Sequence, residues 1–161
     1  MRFLLKKSIK VLIGLALTFT GWTTLAQVTD ISLSIPRDST AFPGDTVRLP
    51  VILNTNLDSE NILAFRLDMS YNGPMKPIGI SKAGSLASGW DVLFNNVADG
   101  RFVVTGAGTT ALSGTGTLYY VDFEIQHTTH QTSPSVYLNT SGASYFNEGG
   151  YNIAVDYGQI T

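Results

Sequence analysis

The chain has 161 residues, no cysteine and a formal net charge of −2. Four of its ten lysines and arginines (Arg2, Lys6, Lys7, Lys10) crowd the N-terminus, so the rest carries six basic against twelve acidic side chains, a net charge near −6. That balance excludes a nucleic-acid-binding surface, and the absence of cysteine excludes disulfide staples, thiolate metal sites and a lipid-bearing N-terminal cysteine.

The basic cluster precedes an apolar run, Val11 to Phe19, broken only by Gly14 and Thr18, and Thr24-Leu25-Ala26 sets small residues at the −3 and −1 positions of a cleavage site. These are the parts of a secretory leader. The run is short for a membrane span of about 20 residues. The sequence therefore predicts a leader over 1–26, cut between Ala26 and Gln27, and one domain over 27–161. The product is expected to be secreted or held at the cell surface, with the periplasm as the other possible compartment, and without stable membrane insertion after cleavage. A domain of about 135 residues buries roughly two-thirds of its unfolded surface, enough for a core that relies on packing alone.

From residue 28 onward the chain is punctuated by short alternating stretches. Ile31, Leu33 and Ile35 share one parity, with Ser32 and Ser34 on the other, until Pro36. Pro43-Gly44-Asp45 is a tight-turn sequence. It opens a stretch from Thr46 to Asn54 in which Val47, Leu49, Val51 and Leu53 face one way. Pro50 has no N–H to donate, so this strand is expected at an edge or with a bulge. Leu63, Phe65, Leu67, Met69 and Tyr71 then alternate with Ala64, Arg66, Asp68, Ser70 and Asn72, the period of a strand with one dry and one wet face.

Ile78 and Ile80 mark a short strand, and Lys82 to Ser85 a turn. Trp90, Val92 and Phe94 alternate with Asp91, Leu93 and Asn95, with Trp90 expected inward. Ala98-Asp99-Gly100 reads as a hairpin turn before a strand over Arg101 to Thr105. Gly106 to Gly116 reads as a flexible loop. Thr117 to Gln126 is a long strand with Tyr119, Val121, Phe123 and Ile125 on one face. Val136 and Leu138 mark a short strand, Gly142 to Gly150 a turn, and Tyr151 to Ile160 the last strand. About nine strands separated by Gly and Pro turns, with no sustained helical period, predict an all-β sandwich or barrel.

The order of these segments resembles that of bacterial cohesin domains. Pro43-Gly44-Asp45-Thr46-Val47 followed by Leu49-Pro50-Val51 is similar to the opening of that family. The strand from Ile62 to Tyr71 ends in Tyr71-Asn72-Gly73-Pro74, one residue longer than the usual turn. Lys82-Ala83-Gly84-Ser85-Leu86, Leu112 to Leu118, Phe146-Asn147-Glu148-Gly149 and Tyr157 to Thr161 resemble four further family segments, in the same order. The resemblance implies a nine-stranded jelly-roll β-sandwich, a fold shared with carbohydrate-binding modules. It also implies a protein-recognition role. In cellulosomes a cohesin binds a calcium-loaded dockerin through the outer face of the sheet that would hold Ala64–Ser70, Asp91–Asn95 and Arg101–Thr105. This sequence departs from the family on that face: Ala64 and Arg66 stand where the best-known members carry Asn and Asp.

Other chemistries are poorly supported. His127 and His130 are the only histidines, two ligands where a zinc site needs three or four. The glycines between Gly106 and Gly116 precede no Gly-Lys-Ser/Thr and open no helix, so they form no phosphate cradle. Asp68, Asp91, Asp122, Glu124 and Glu148 are the carboxylates available to a glycosidase, but most lie on outward strand parity, where charge solubilises. No Gly-x-Ser-x-Gly is present. Asp38-Ser39-Thr40 and Asp45-Thr46-Val47 resemble a bacterial O-glycosylation pattern, but matches of three residues are common by chance. No metal or cofactor is called for, and the sequence reads as non-catalytic.

Two recognition surfaces remain. A protein partner of dockerin or other type would meet Arg66, Asp68, Ser70, Asp91, Leu93, Asn95, Arg101 and Val103. Of these Leu93 and Val103 are apolar on an otherwise polar parity, the composition of an interface core with a charged rim. The alternative is a polysaccharide stacked on Tyr120 and Tyr137, which fall on polar parity.

Overall fold

A computed structural model describes residues 30–36, 41–127, 134–139, 143–156 and 158–159. Its elements are β1 (Asp30–Ser34), β2 (Thr46–Leu53), β3 (Ala64–Asn72), β4 (Met75–Ser81), β5 (Asp91–Ala98), β6 (Arg101–Ala107), β7 (Gly116–Ile125), β8 (Ser135–Leu138), β9 (Tyr145–Phe146), a 3-10 turn (Asn147–Gly149), β10 (Asn152–Asp156) and β11 (Gly158–Gln159). Nine of these strands have four residues or more, which is the predicted jelly-roll sandwich, and β9 and β11 are two-residue additions. One sheet runs β10-β1-β2-β7-β4 and the other β11-β8-β3-β6-β5, with β9 also on β3. Among the described residues no helix is long and apolar enough to cross a membrane.

Period-two alternation puts the apolar parity of both sheets into one core. Leu49, Val51 and Leu53 of β2 and Tyr119, Val121 and Phe123 of β7 oppose Phe65, Leu67 and Met69 of β3 and Phe102 and Val104 of β6, all buried. Phe65 is the centre of an aromatic stack, 5.8 Å from the Trp90 ring and 5.7 Å from Tyr119 by centroid. Trp90 is inward, as its parity with Val92 and Phe94 predicts. The Tyr119 hydroxyl donates to Met69 Sδ, at 3.4 Å, and burial pushes its pKa far up, so the phenol stays neutral.

Some local expectations change. Leu63 is 37% exposed while Ile62 is fully buried, so the inward parity begins at Phe65 rather than at Leu63. Asn61, at φ 47°, lies in the left-handed region just ahead of this stretch. Ile78 does not share the inward face with Ile80. A register shift between Pro77 and Gly79 leaves it unpaired and about half exposed.

Pro50 behaves as its missing donor requires. The β1 ladder reaches only Ile52, so at Pro50 strand β2 has β7 as its single neighbour, and a register shift follows between Val51 and Ile52. The predicted final strand is two: β10 lies parallel to β1 in one sheet and β11 antiparallel to β8 in the other.

The glycine-rich segment is not a free loop. Gly106 is inside β6, and Leu112 is buried. Gly108 N donates to Leu63 O at 2.9 Å, Leu112 N to Ile62 O at 2.9 Å, and Gly114 N and Ser113 Oγ to Asp58 Oδ1 at 2.7 and 2.6 Å. Two of its glycines are packing requirements: a Cβ on Gly106 would lie 2.3 Å from Phe65 Cε1, and one on Gly108 2.4 Å from Trp90 Cε2.

Candidate functional site

The outer face of β3, β6 and β5 is built from cross-strand rows that the register sets. Ala64 pairs with Ala107, which pairs with Asp91. Arg66, Thr105 and Leu93 form the next row, then Asp68, Val103 and Asn95, and last Ser70 beside Arg101. The eight residues expected to meet a protein partner are therefore neighbours on one face.

They are not equally available. Arg66, Leu93, Asn95 and Val103, joined by Val97 and Thr105, line an open depression of about 220 Å³. Val103 is its floor, only 4% exposed, whereas Leu93 and Val97 stand up at 70% and 48%. Val97 shares the parity of Leu93 and Asn95 and so belongs to this face by alternation alone, although a register shift between Asn96 and Ala98 leaves it without a ladder partner. Asp91 lies outside the depression, exposed at the start of β5.

Asp68 corrects the sequence expectation of a solvated contact. It is on the outward parity, yet it is fully buried. Along this side of β3 the β8 ladder ends at Met69 and the β9 ladder begins at Arg66, so Asp68 falls in the gap. Residues between those ladders close over it. Asn139 N donates to Asp68 O at 2.7 Å, and Asp68 N donates to Ser144 Oγ at 2.9 Å. Its carboxylate accepts from Arg101 Nε and Nη2 at 2.9 and 2.6 Å and from Asn139 Nδ2 at 2.8 Å, while Arg66 Nη2 lies 3.7 Å away.

These partners hold the Asp68 carboxyl below the ordinary aspartate value of 3.8. The Arg101 hydrogen bonds act most strongly, outweighing desolvation, with Asn139 and the charges of Arg101 and Arg66 adding to them. Arg101 is raised in turn by the same pair. Ser70 Oγ joins the network through the Asn139 side chain, at 3.2 and 3.0 Å. Arg66 Nε donates to Ala143 O at 3.2 Å. Asn139 and Ser144, which organise this cluster, carry no sequence signal, because their link to Asp68 spans about 70 residues.

The two tyrosines of the polysaccharide alternative do not form one platform. Tyr120 is on β7, on the outer face of the first sheet, where the Arg48 guanidinium sits 5.9 Å from its ring centroid and is itself paired with Asp122 at 2.7 Å. Tyr137 is on β8 in the second sheet, next to Ser70, with its hydroxyl 3.3 Å from Asn72 Nδ2. Sandwich packing turns these two faces in opposite directions.

The remaining carboxylates are equally dispersed. Asp122 and Glu124 lie on β7, Asp91 on β5 and Glu148 in the 3-10 turn. Among the described residues no group of three or more metal-ligating side chains occurs. His130 and the segment Asp38-Ser39-Thr40 lie outside the described residues, while His127 and Thr46 lie within them.

Comparison with known proteins agrees with this architecture. The structure superposes on the sixth cohesin of scaffoldin B from Acetivibrio cellulolyticus, solved in complex with a Cel5 dockerin mutant. The TM-score is 0.66 and the identity 20%, over 83% of this chain and 99% of that one. A cohesin of Clostridium thermocellum, in the complex Coh-OlpA-Doc918, gives 0.64 at 20% identity over 81% and 97%. The non-cellulosomal cohesin of the archaeon Archaeoglobus fulgidus gives 0.61 at 21% identity over 81% and 89%. No curated protein sequence matches. The cohesin domain model matches residues 31–157, nearly all of the chain beyond the leader-like segment. With that match spanning both sheets, the chain belongs to the cohesin domain family.

Proposed function

We propose that this chain is a secreted, non-catalytic recognition module that binds a protein partner of dockerin type through the outer face of β8, β3, β6 and β5. The observation that carries the reading is the depression on that face. An apolar floor at Val103 and exposed apolar walls at Leu93 and Val97 are bordered by Arg66, Asn95 and Thr105. An apolar centre within a polar rim is the usual anatomy of a protein-binding patch. Family membership supports a binding role, and similar structures were solved with dockerins bound. The leader over 1–26 supports export of a domain over 27–161, to the medium, the cell surface or the periplasm, where polysaccharide-degrading assemblies work.

The test is a titration of the secreted chain against a panel of calcium-loaded dockerins, beside retardation in a glucan affinity gel. Micromolar or tighter binding to at least one dockerin, weakened about tenfold or more in Leu93→Asp, is expected for removal of an interface anchor. Retardation on glucan with no dockerin bound would overturn the reading.

A further inference from the structure

The recognition face has a charge that the chain as a whole does not predict. Outside the leader-like segment the chain is strongly acidic, yet beside the depression two arginines share one carboxylate. Asp68 is fully buried, while the side chains of Arg66 and Arg101 are 35% and 46% exposed. The negative partner is thus hidden and both positive ones are on the surface. Arg101 spends Nε and Nη2 on Asp68, and Arg66 spends Nε on Ala143 O. Among the described residues the Nη1 groups of both have no partner. Two guanidinium groups against one carboxylate leave the centre of the face with a residual charge of one proton unit. The nearest acidic side chain of β5, Asp91, is one row beyond Leu93 and outside the depression.

We propose that the element received by this face is acidic. A partner segment presents carboxylates to Arg66 and Arg101 around one apolar side chain, which seats on Val103 between Leu93 and Val97. Asp68 is a positioning residue. Held by Asn139, it fixes the Arg101 guanidinium through two hydrogen bonds and attracts Arg66 Nη2 at 3.7 Å, while Ala143 O holds Arg66 Nε, so less side-chain entropy is lost on binding. Charge-assisted, bidentate geometry then makes carboxylate the ligand that an arginine fork selects. The inference rests on the recognition face proposed above and specifies the chemistry of its partner.

The probe is one calcium-loaded dockerin scaffold made in three versions, with glutamate, glutamine or lysine flanking an exposed leucine on its recognition helix, titrated against the full chain. A free helical peptide carrying the same glutamate–leucine pattern is titrated alongside. The glutamate version is expected to bind about tenfold or more tighter than the glutamine version, and the lysine version weakest of all. The preference should shrink as salt is raised from about 50 to about 500 mM. Arg66→Glu should reverse it, so that the lysine version binds best, a gain that a misfolded variant cannot produce. Equal binding of all three versions, unchanged by Arg66→Glu yet abolished by Leu93→Asp, overturns the acidic-partner inference and leaves dockerin recognition standing. Arg66-dependent binding of the peptide with no dockerin version bound overturns the dockerin reading and keeps the acidic partner. Binding of neither probe overturns both.

Discussion

Asp68 is the residue at which local pattern and tertiary environment part most clearly. Its parity points it outward, yet it is fully buried and bonded to Asn139 and Ser144, which lie between the β8 and β9 ladders. A buried carboxylate with a depressed pKa adds stability above the pKa of the unfolded chain and loses it as pH falls through the lower, folded value. For Asp68 that loss begins below about 3.8, the ordinary aspartate value. Asp68→Asn, which keeps the shape and removes the charge, should therefore be less stable than the parent at neutral pH, by about 1–3 kcal/mol. The gap should close as denaturation is repeated at successively lower pH below the ordinary aspartate range. A gap independent of pH would show that the carboxylate charge contributes nothing. Gly106 makes a second residue-scale case, because its missing side chain accommodates the Phe65 ring. Gly106→Ala should cost about 1–3 kcal/mol in urea denaturation, the penalty of overpacking a filled core. Neither effect is visible locally: Gly106 reads as loop composition and Asp68 as a solubilising charge.

Among elements, β3 is held at its start by a residue from the far end of the chain. Asn147 Oδ1 accepts from Leu63 N and Ala64 N at 2.9 and 3.2 Å, and its Nδ2 donates to Asn61 O at 2.9 Å. One amide side chain thus satisfies three backbone groups beside the left-handed Asn61 and at the entry to β3. Asn147→Ala should speed hydrogen exchange at Leu63 and Ala64 selectively, with a global cost of about 1 kcal/mol. Unchanged exchange there would remove Asn147 from this role. The family-like Asn147-Glu148-Gly149 segment was legible in sequence, and what it docks against was not. The same holds for the segment from Gly108 to Gly114. Its composition suggests freedom, and its backbone is instead tied to Ile62, Leu63 and Asp58. Composition reports what a segment can do alone, whereas hydrogen bonds to distant strands decide what it does.

For the whole molecule, the first described strand pairs with one from the C-terminal part of the chain. β1 has five ladder pairs with β10 and only two with β2. Its buried Ile31 and Leu33 therefore depend on β10 being present. A chain stopped before Tyr151 should lose exchange protection at Ile31 and Leu33 and melt several degrees lower. Retained protection would show that β2 alone seats β1. Alternation and turn residues by themselves determined the all-β class, nine strands of useful length and most of the inward residues. Those follow from a period of two and from glycine and proline chemistry, which are local. Only the tertiary structure decided that β10 lies parallel to β1, that Tyr120 and Tyr137 face opposite ways, and that Asp68 is hidden while its arginines are not. Each of these depends on which strands become neighbours and which segment closes over them, and contacts across 70 residues or more leave no periodic mark on the chain.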